Sequence, residues 1–235
     1  MTATVAAGWL LIVLPIAFNA AFSALAMRFG YPGILRRPTE EVLDRFREGG
    51  SGLVLIWWFF AMTAVLLAPL AVLVSGALPG ADSVLLGVGT TVGVLAALVQ
   101  FLGLIRWPFL VPYLARVAAE PDTTPARKEA IDIVFQAFNR YLGVAVGEHL
   151  GFLLTGAWSI LVGFAVIQDG QLPGWLGIAG IVIGTVLAVC SLEFVGPFEP
   201  EGWKLAATLT PITYIAWSLW LVATGIFLLL CDSPA

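Results

Sequence analysis

The stretch LGVAVGEHLGFLLTGAWSILVGFAVI, residues 142–167, decides the fold. It is apolar over more than the ~18 residues that mark a membrane span. Only Glu148 and His149 interrupt it with ionisable groups. Such groups are expensive within lipid and face a partner or a wet cavity when they occur there. Gly143, Gly147 and Gly151 recur at intervals of four in the same stretch. That spacing makes a small-residue ridge, which lets a second helix approach closely. Glu148 follows Gly147 directly, so it is expected beside a helix contact and not in lipid.

The rest of the chain agrees with this reading. Of its 235 residues 60% are apolar and 11% charged, and the mean hydropathy is +0.99. A soluble domain carries about 25% charge. The fold class is therefore all-α, a polytopic membrane protein. The net charge of -4 says little, because orientation follows Lys and Arg alone. The two cysteines, Cys190 and Cys231, form no CxxC or Cys/His cluster, so no zinc site or disulfide framework is indicated.

Six spans are expected, at about residues 5–27, 53–78, 84–106, 142–167, 172–194 and 205–230. Together they form one domain. Between the first two, Pro38-Thr39-Glu40-Glu41 is a helix-start signal with acids in the first turn. Val42, Leu43 and Phe46 then give a short amphipathic helix one apolar face, expected on the membrane surface. Gly49-Gly50-Ser51-Gly52 ends it. Pro108 is expected to bend the third span as it leaves the bilayer. Residues 127–141 form an amphipathic lead-in to the fourth span. Lead-in and span as one helix would measure ~60 Å, twice a bilayer core of ~30 Å. The third and fourth spans are thus expected to project from the membrane as a hairpin, or to break at its surface. The chain ends in a short stub, residues 231–235.

Orientation follows from the basic residues. Arg28, Arg36, Arg37, Arg45 and Arg47 lie in segment 28–52. Arg106, Arg116, Arg127, Lys128 and Arg140 lie in segment 106–141, and Lys204 in segment 195–204. That accounts for all eleven Lys and Arg. With an outward N-terminus every one of them is cytoplasmic, as the positive-inside rule requires. Both termini are expected outside a bacterial inner membrane. Asn19, Gln100, Arg106, Glu148, His149, Glu193 and Tyr214 then fall at one depth, near the cytoplasmic surface.

Other chemistries find little support. There is no glycine-rich phosphate loop and no GxSxG elbow. Glu40-Glu41-xxx-Arg45 matches the EExxxR motif of intramembrane CAAX-type proteases. Those enzymes need further histidines on other helices, and His149 is the only one here, which also excludes a bis-histidine haem. The motif reads as a solvated charged face. The chain leans away from being an enzyme, and no cofactor, metal site or nucleic-acid partner is indicated. Glu148, His149, Arg106 and Gln100 are expected to line a pocket for a small polar or amphiphilic ligand. Asn139, Arg140, Asn19, Glu193 and Tyr214 lie at its level. The competing reading is a structural or accessory membrane subunit; the partners expected are membrane lipid and either further copies of the chain, as a homo-oligomer, or a partner membrane subunit. There the polar layer fixes helix register, with Glu148 paired to Arg106 or Arg140, or hydrogen-bonded to Asn19 or Thr213. The basic segments suit anionic lipid headgroups as well.

Four blocks carry a resemblance. They are Gln100-xx-Gly103-xx-Arg106-Trp107; Asn139-Arg140-Tyr141 running into Gly147-Glu148-His149-Leu150-Gly151; Leu172-Pro173-xx-Leu176-Gly177; and Tyr214-xx-Trp217-Ser218-Leu219-Trp220. In this order they resemble an uncharacterised bacterial six-pass membrane family, domain of unknown function 4386. The resemblance implies six helices in a bacterial inner membrane. It implies no activity, cofactor or catalytic residue.

Overall fold

The computed structural model describes residues 2–199 and 201–231, and these contain helices and turns but no strand. Pro200 and the stub beyond Cys231 lie outside the described residues. Helix α1 (Ala3–Phe29) starts at Thr2, whose hydroxyl accepts from the Val5 amide, and stops at Gly30 in the left-handed region. A short 3-10 turn, Gly33–Arg36, leads to α2 (Thr39–Gly76). Then follow α3 (Ser83–Ala118), α4 (Pro125–Phe138), a π-helical segment (Asn139–Leu150) and α5 (Gly151–Asp169). Helix α6 (Gly174–Cys190), a second 3-10 turn (Gly196–Phe198) and α7 (Lys204–Cys231) complete the chain.

Five helical stretches are long and apolar enough to cross a membrane: Ala3–Phe29, Thr39–Gly76, Ser83–Ala118, the continuous run Pro125–Asp169, and Lys204–Cys231. Helix α6 is equally apolar but shorter, at 17 residues. Large apolar side chains point outward along these helices, among them Trp9, Ile16, Val72, Ile178 and Leu219. Contiguous exposed apolar surface of this kind suits a lipid environment and not water.

Two expectations change. The helix that opens α2 does not lie on a lipid surface by its apolar face. Val42, Leu43 and Phe46 are all buried within the protein, against Phe29, Trp107 and their neighbours. Tertiary packing thus offers the face a partner before lipid does. Its glycines mark a break and not an end, because Gly50 takes φ 57° and ψ -157° and the helix resumes beyond it. A residue with a Cβ rarely adopts that conformation. Likewise α3 runs through Pro108 and Pro112 to Ala118 as a helix. Helices α3 and α4 are also in contact with one another.

The interior divides into two clusters. One lies toward the loops at Pro79 and Asp169 and includes Leu70, Trp158, Leu176, Trp217, Trp220 and Leu221. There the Gly80 amide donates to Asp169 Oδ1 at 2.7 Å, joining the two loops. The other lies toward the arginine-bearing end and is strongly aromatic, with Phe29, Phe46, Trp57, Trp107 and Phe135. Trp57 and Trp107 stack at 4.4 Å between centroids.

Candidate functional site

The glycine ridge finds its partner on α3. Gln100, Gly103 and Arg106 of α3 run antiparallel to Gly151, Gly147 and Gly143. A Cβ on Gly103 would stand 2.5 Å from the Cα of Gly147, and one on Gly143 would stand 2.5 Å from a guanidinium nitrogen of Arg106. A side chain at Gly103 would force the backbones apart, and one at Gly143 would displace the Arg106 guanidinium. Opposite this contact the chain is π-helical for 12 residues. Most π-helix occurs as single turns, often at functional sites, so this run sets the segment apart from its flanking α-helices. Glu148 and His149 lie in its last turn.

Each expected polar residue can now be placed. Arg106 is buried. Its guanidinium donates to the Gly103 carbonyl and, at 2.9 Å, to Asn139 Oδ1. Gln100 donates to Thr155 Oγ1 at 2.9 Å, joining α3 to α5. His149 Nδ1 lies 2.8 Å from the Ser191 carbonyl. A carbonyl only accepts, so Nδ1 carries the proton and ties the ring to the end of α6. Asn19 donates to the Pro15 carbonyl and to Ser218 Oγ, pinning α1 to α7. Arg140 is exposed and pairs with Glu199 at 2.8 Å. Asn19 and Arg140 therefore do not join a pocket with Glu148, because each already has its partner elsewhere. Thr213 bonds its own helix, at the Leu209 carbonyl.

Glu148 itself is left over. Among the described residues its carboxylate has no hydrogen bond and no ion pair, neither to Arg106 nor to Arg140. The charges within electrostatic reach are Arg106, Glu193 and Arg36. Two phenols feel Glu148 as well, Tyr31 and Tyr214. Neither hydroxyl has a hydrogen-bond partner among the described residues. None of these oxygens is sealed, since Trp57 Nε1 is the one fully enclosed, unpartnered side-chain polar atom among them. Each of these three oxygens thus keeps some accessible surface of its own. Burial pushes the Tyr31 phenol up from its usual range, so it stays a protonated donor. Burial also raises the Glu193 carboxyl, against the pull of Arg36.

The rings of the two tyrosines pack among other aromatics. Phe18 stacks on Tyr214 at 5.9 Å and meets Phe60 at 5.0 Å. Phe22 meets Tyr31 edge-on at 5.5 Å, Tyr31 reaches Phe60 at 6.4 Å, and Phe152 meets Tyr214 at 5.4 Å. Sequence reasoning missed Tyr31, Arg36 and these phenylalanines. Tyr31 stands in a Gly30-Tyr31-Pro32-Gly33 turn, where an aromatic flanked by turn residues is the signal that was available. Below, Thr39 donates to Asp132 and accepts from Gln136, and Lys128 pairs with Glu40 at 3.0 Å. These bonds hold the start of α2 against α4. Among the described residues no three of His, Cys, Asp and Glu gather as a metal ion requires.

Long apolar helices, an outward lipid-type surface and a polar cluster held between helices define a multi-pass α-helical membrane protein. The chain belongs to the family described as domain of unknown function DUF4386, whose model matches residues 6–225. No curated protein and no solved structure matches it.

Proposed function

We propose that this chain is a six-pass protein of the bacterial inner membrane. In this reading it binds a small polar or amphiphilic ligand at its cytoplasmic end, between Glu148, Tyr31 and Tyr214. The single observation that carries the reading is an unpaired carboxylate between the helices with two unpaired phenols within its electrostatic reach. Buried polar groups are nearly always satisfied, and an intramembrane acid without a partner points to a bound species or a water path. The sixth span is α6, whose 17 residues reach ~26 Å, close to the bilayer core of ~30 Å. Every Lys and Arg of the sequence lies in the loops and helix ends of one side, which orients that side to the cytoplasm.

The test is thiol access. Glu148→Cys in a Cys231→Ser background leaves Cys190, which is buried. A charged, membrane-impermeant thiosulfonate is expected to label it in inverted vesicles and not in right-side-out ones. No labelling in either orientation, with the protein folded, overturns the pocket; labelling only from outside overturns the orientation.

A second reading has its own observation. Gln100–Thr155, Asn19–Ser218, His149–Ser191 and Trp217–Ser159 all join different helices, as a layer that merely fixes register would. As a structural or accessory subunit, the protein would leave Glu148→Cys unlabelled, and Glu148→Gln would alter melting alone.

A further inference from the structure

The start of α2 has the parts of a lid. We propose that residues 39–49 close the arginine-bearing end of the bundle, hinged at Gly50 and latched to α4, and swing out onto the leaflet surface when the latch opens. The hinge is the break already described, where Gly50 takes φ 57° and ψ -157° between Gly49 and Gly52. Because the axis breaks there, Phe46 before it and Trp57 after it meet the same two rings. They reach Trp107 at 6.0 and 4.4 Å, and Phe29 at 5.8 and 6.1 Å. The lid's inner face is Val42, Leu43 and Phe46, all buried in that aromatic cluster. Its outer face, with Glu41, Asp44, Arg45 and Glu48, is exposed. The latch joins the far end to α4: Thr39 donates to Asp132 and accepts from Gln136, and Glu40 pairs with Lys128 at 3.0 Å.

Three features make the closed form releasable. The Glu40–Lys128 pair is exposed on both sides, and such a pair holds weakly. Along the side facing the preceding turn the lid is unpacked. A groove of about 860 Å³ lies there, between Gly30, Gly33 and Ile34 of the turn and Glu41, Asp44 and Glu48 of the lid. Closure also leaves the Trp57 indole N–H enclosed without a partner, the one such side-chain atom among the described residues. A buried donor with no bond opposes the burial. Once released, Val42, Leu43 and Phe46 have a second seat, because a leaflet surface accepts an amphipathic helix by its apolar face. Tyr31 packs on Trp57 at 5.1 Å, so release uncovers the surroundings of one of the two phenols.

The experiment places nitroxides at Asp44→Cys on the lid and Arg116→Cys on α3, both exposed and outside the latch. The full chain carries Cys231→Ser, leaving only the buried Cys190, and sits in phosphatidylcholine nanodiscs. Double electron–electron resonance reads the distance. One closed distance is expected to dominate, with a minor component longer by on the order of 10 Å, since a lid of ~11 residues is ~16 Å long. Thr39→Val and Lys128→Ala, which open the latch, are each expected to raise the longer component at least threefold. Gly50→Ala does the same, because a Cβ disfavours the closed backbone there. The lid's four acids outnumber its two arginines, so phosphatidylglycerol is expected to lower the released fraction. An equal or reversed lipid order overturns the leaflet as the second seat. No longer component in any of the three variants overturns the lid. So does equal broadening of a control pair at Val88→Cys and Ile178→Cys, which marks general loosening. Lys128→Ala alters only a surface side chain, so a failure of the others to fold does not spare the proposal. These distances are read without ligand, so the lid and the pocket at Glu148 fail separately.

Discussion

Two glycine seams run through this bundle, and they end differently. Between α5 and α6, Gly156 faces Gly184 and Gly163 faces Gly177, each so close that a Cβ would stand about 2.5 Å from a backbone oxygen. Between α3 and the π segment, Gly103 faces Gly147 just as closely. The first seam is dry. Trp158, Trp217 and Trp220 pack beside it, and the last two donate to Ser159 Oγ and to the Leu176 carbonyl. The second seam carries Arg106 and Glu148 at its edge and leaves the latter unpartnered. Close helix approach is common to both, as expected where small residues drive association in lipid. The site arises from what flanks the contact and not from the contact itself.

Substitutions can break or sharpen that contrast. The largest loss is expected in the dry half: Trp158→Ala should lower stability by about 3–5 kcal/mol through an unfilled cavity, read as a fall in melting temperature. A loss no greater than that of an exposed residue such as Trp9→Ala would refute the picture of that half as the stabilising core. Next is Arg106→Met, which keeps the stem but leaves the Asn139 oxygen and the Gly103 carbonyl without their donor. About 1–3 kcal/mol is expected, and the melting curve of the same variant measures it. Glu148→Gln comes third and is the sharpest. With no ion pair to lose, it should leave stability within about 1 kcal/mol, since isolated buried charge is itself unfavourable. Only ligand binding should fall. A large destabilisation without a binding change would assign Glu148 to packing. Smallest is Arg140→Ala, because an exposed pair such as Arg140–Glu199 contributes within about 0.5 kcal/mol; a greater fall would show that the surface pair anchors the loop.

Part of the site was legible in the sequence. An acid inside an apolar run flags itself by its unfavourable transfer into lipid, and the spacing of Gly143, Gly147 and Gly151 announced a helix contact beside it. Gln100 and Arg106 were expected at that level, and they face Gly151 and Gly143 of the ridge. His149 and Asn19 were read as neighbours of Glu148 on depth alone, and depth does not specify azimuth. A helix rotates about 100° per residue, so two residues at one level can face opposite partners. His149 is turned to the Ser191 carbonyl, whereas Glu148 makes no such bond and has the Tyr31 and Tyr214 phenols within electrostatic reach. Tyr31 was missed for another reason. It lies in a connecting turn, and nothing in a linear pattern tells which turn folds back under which helix.

The sequence by itself determined the class of this protein. Run length and charge content are properties of composition and order, and lipid selects on them directly. It also marked the residue on which the site is built. Only the tertiary structure decided Glu148's surroundings. Arg106 is taken by Asn139 and the Gly103 carbonyl, Arg140 by Glu199, and the rings of α1, α2, α5 and α7 close in from elements far apart in the chain. Those outcomes depend on competition among partners in three dimensions, where the geometry of each neighbour settles which polar group is satisfied and which is left unpaired.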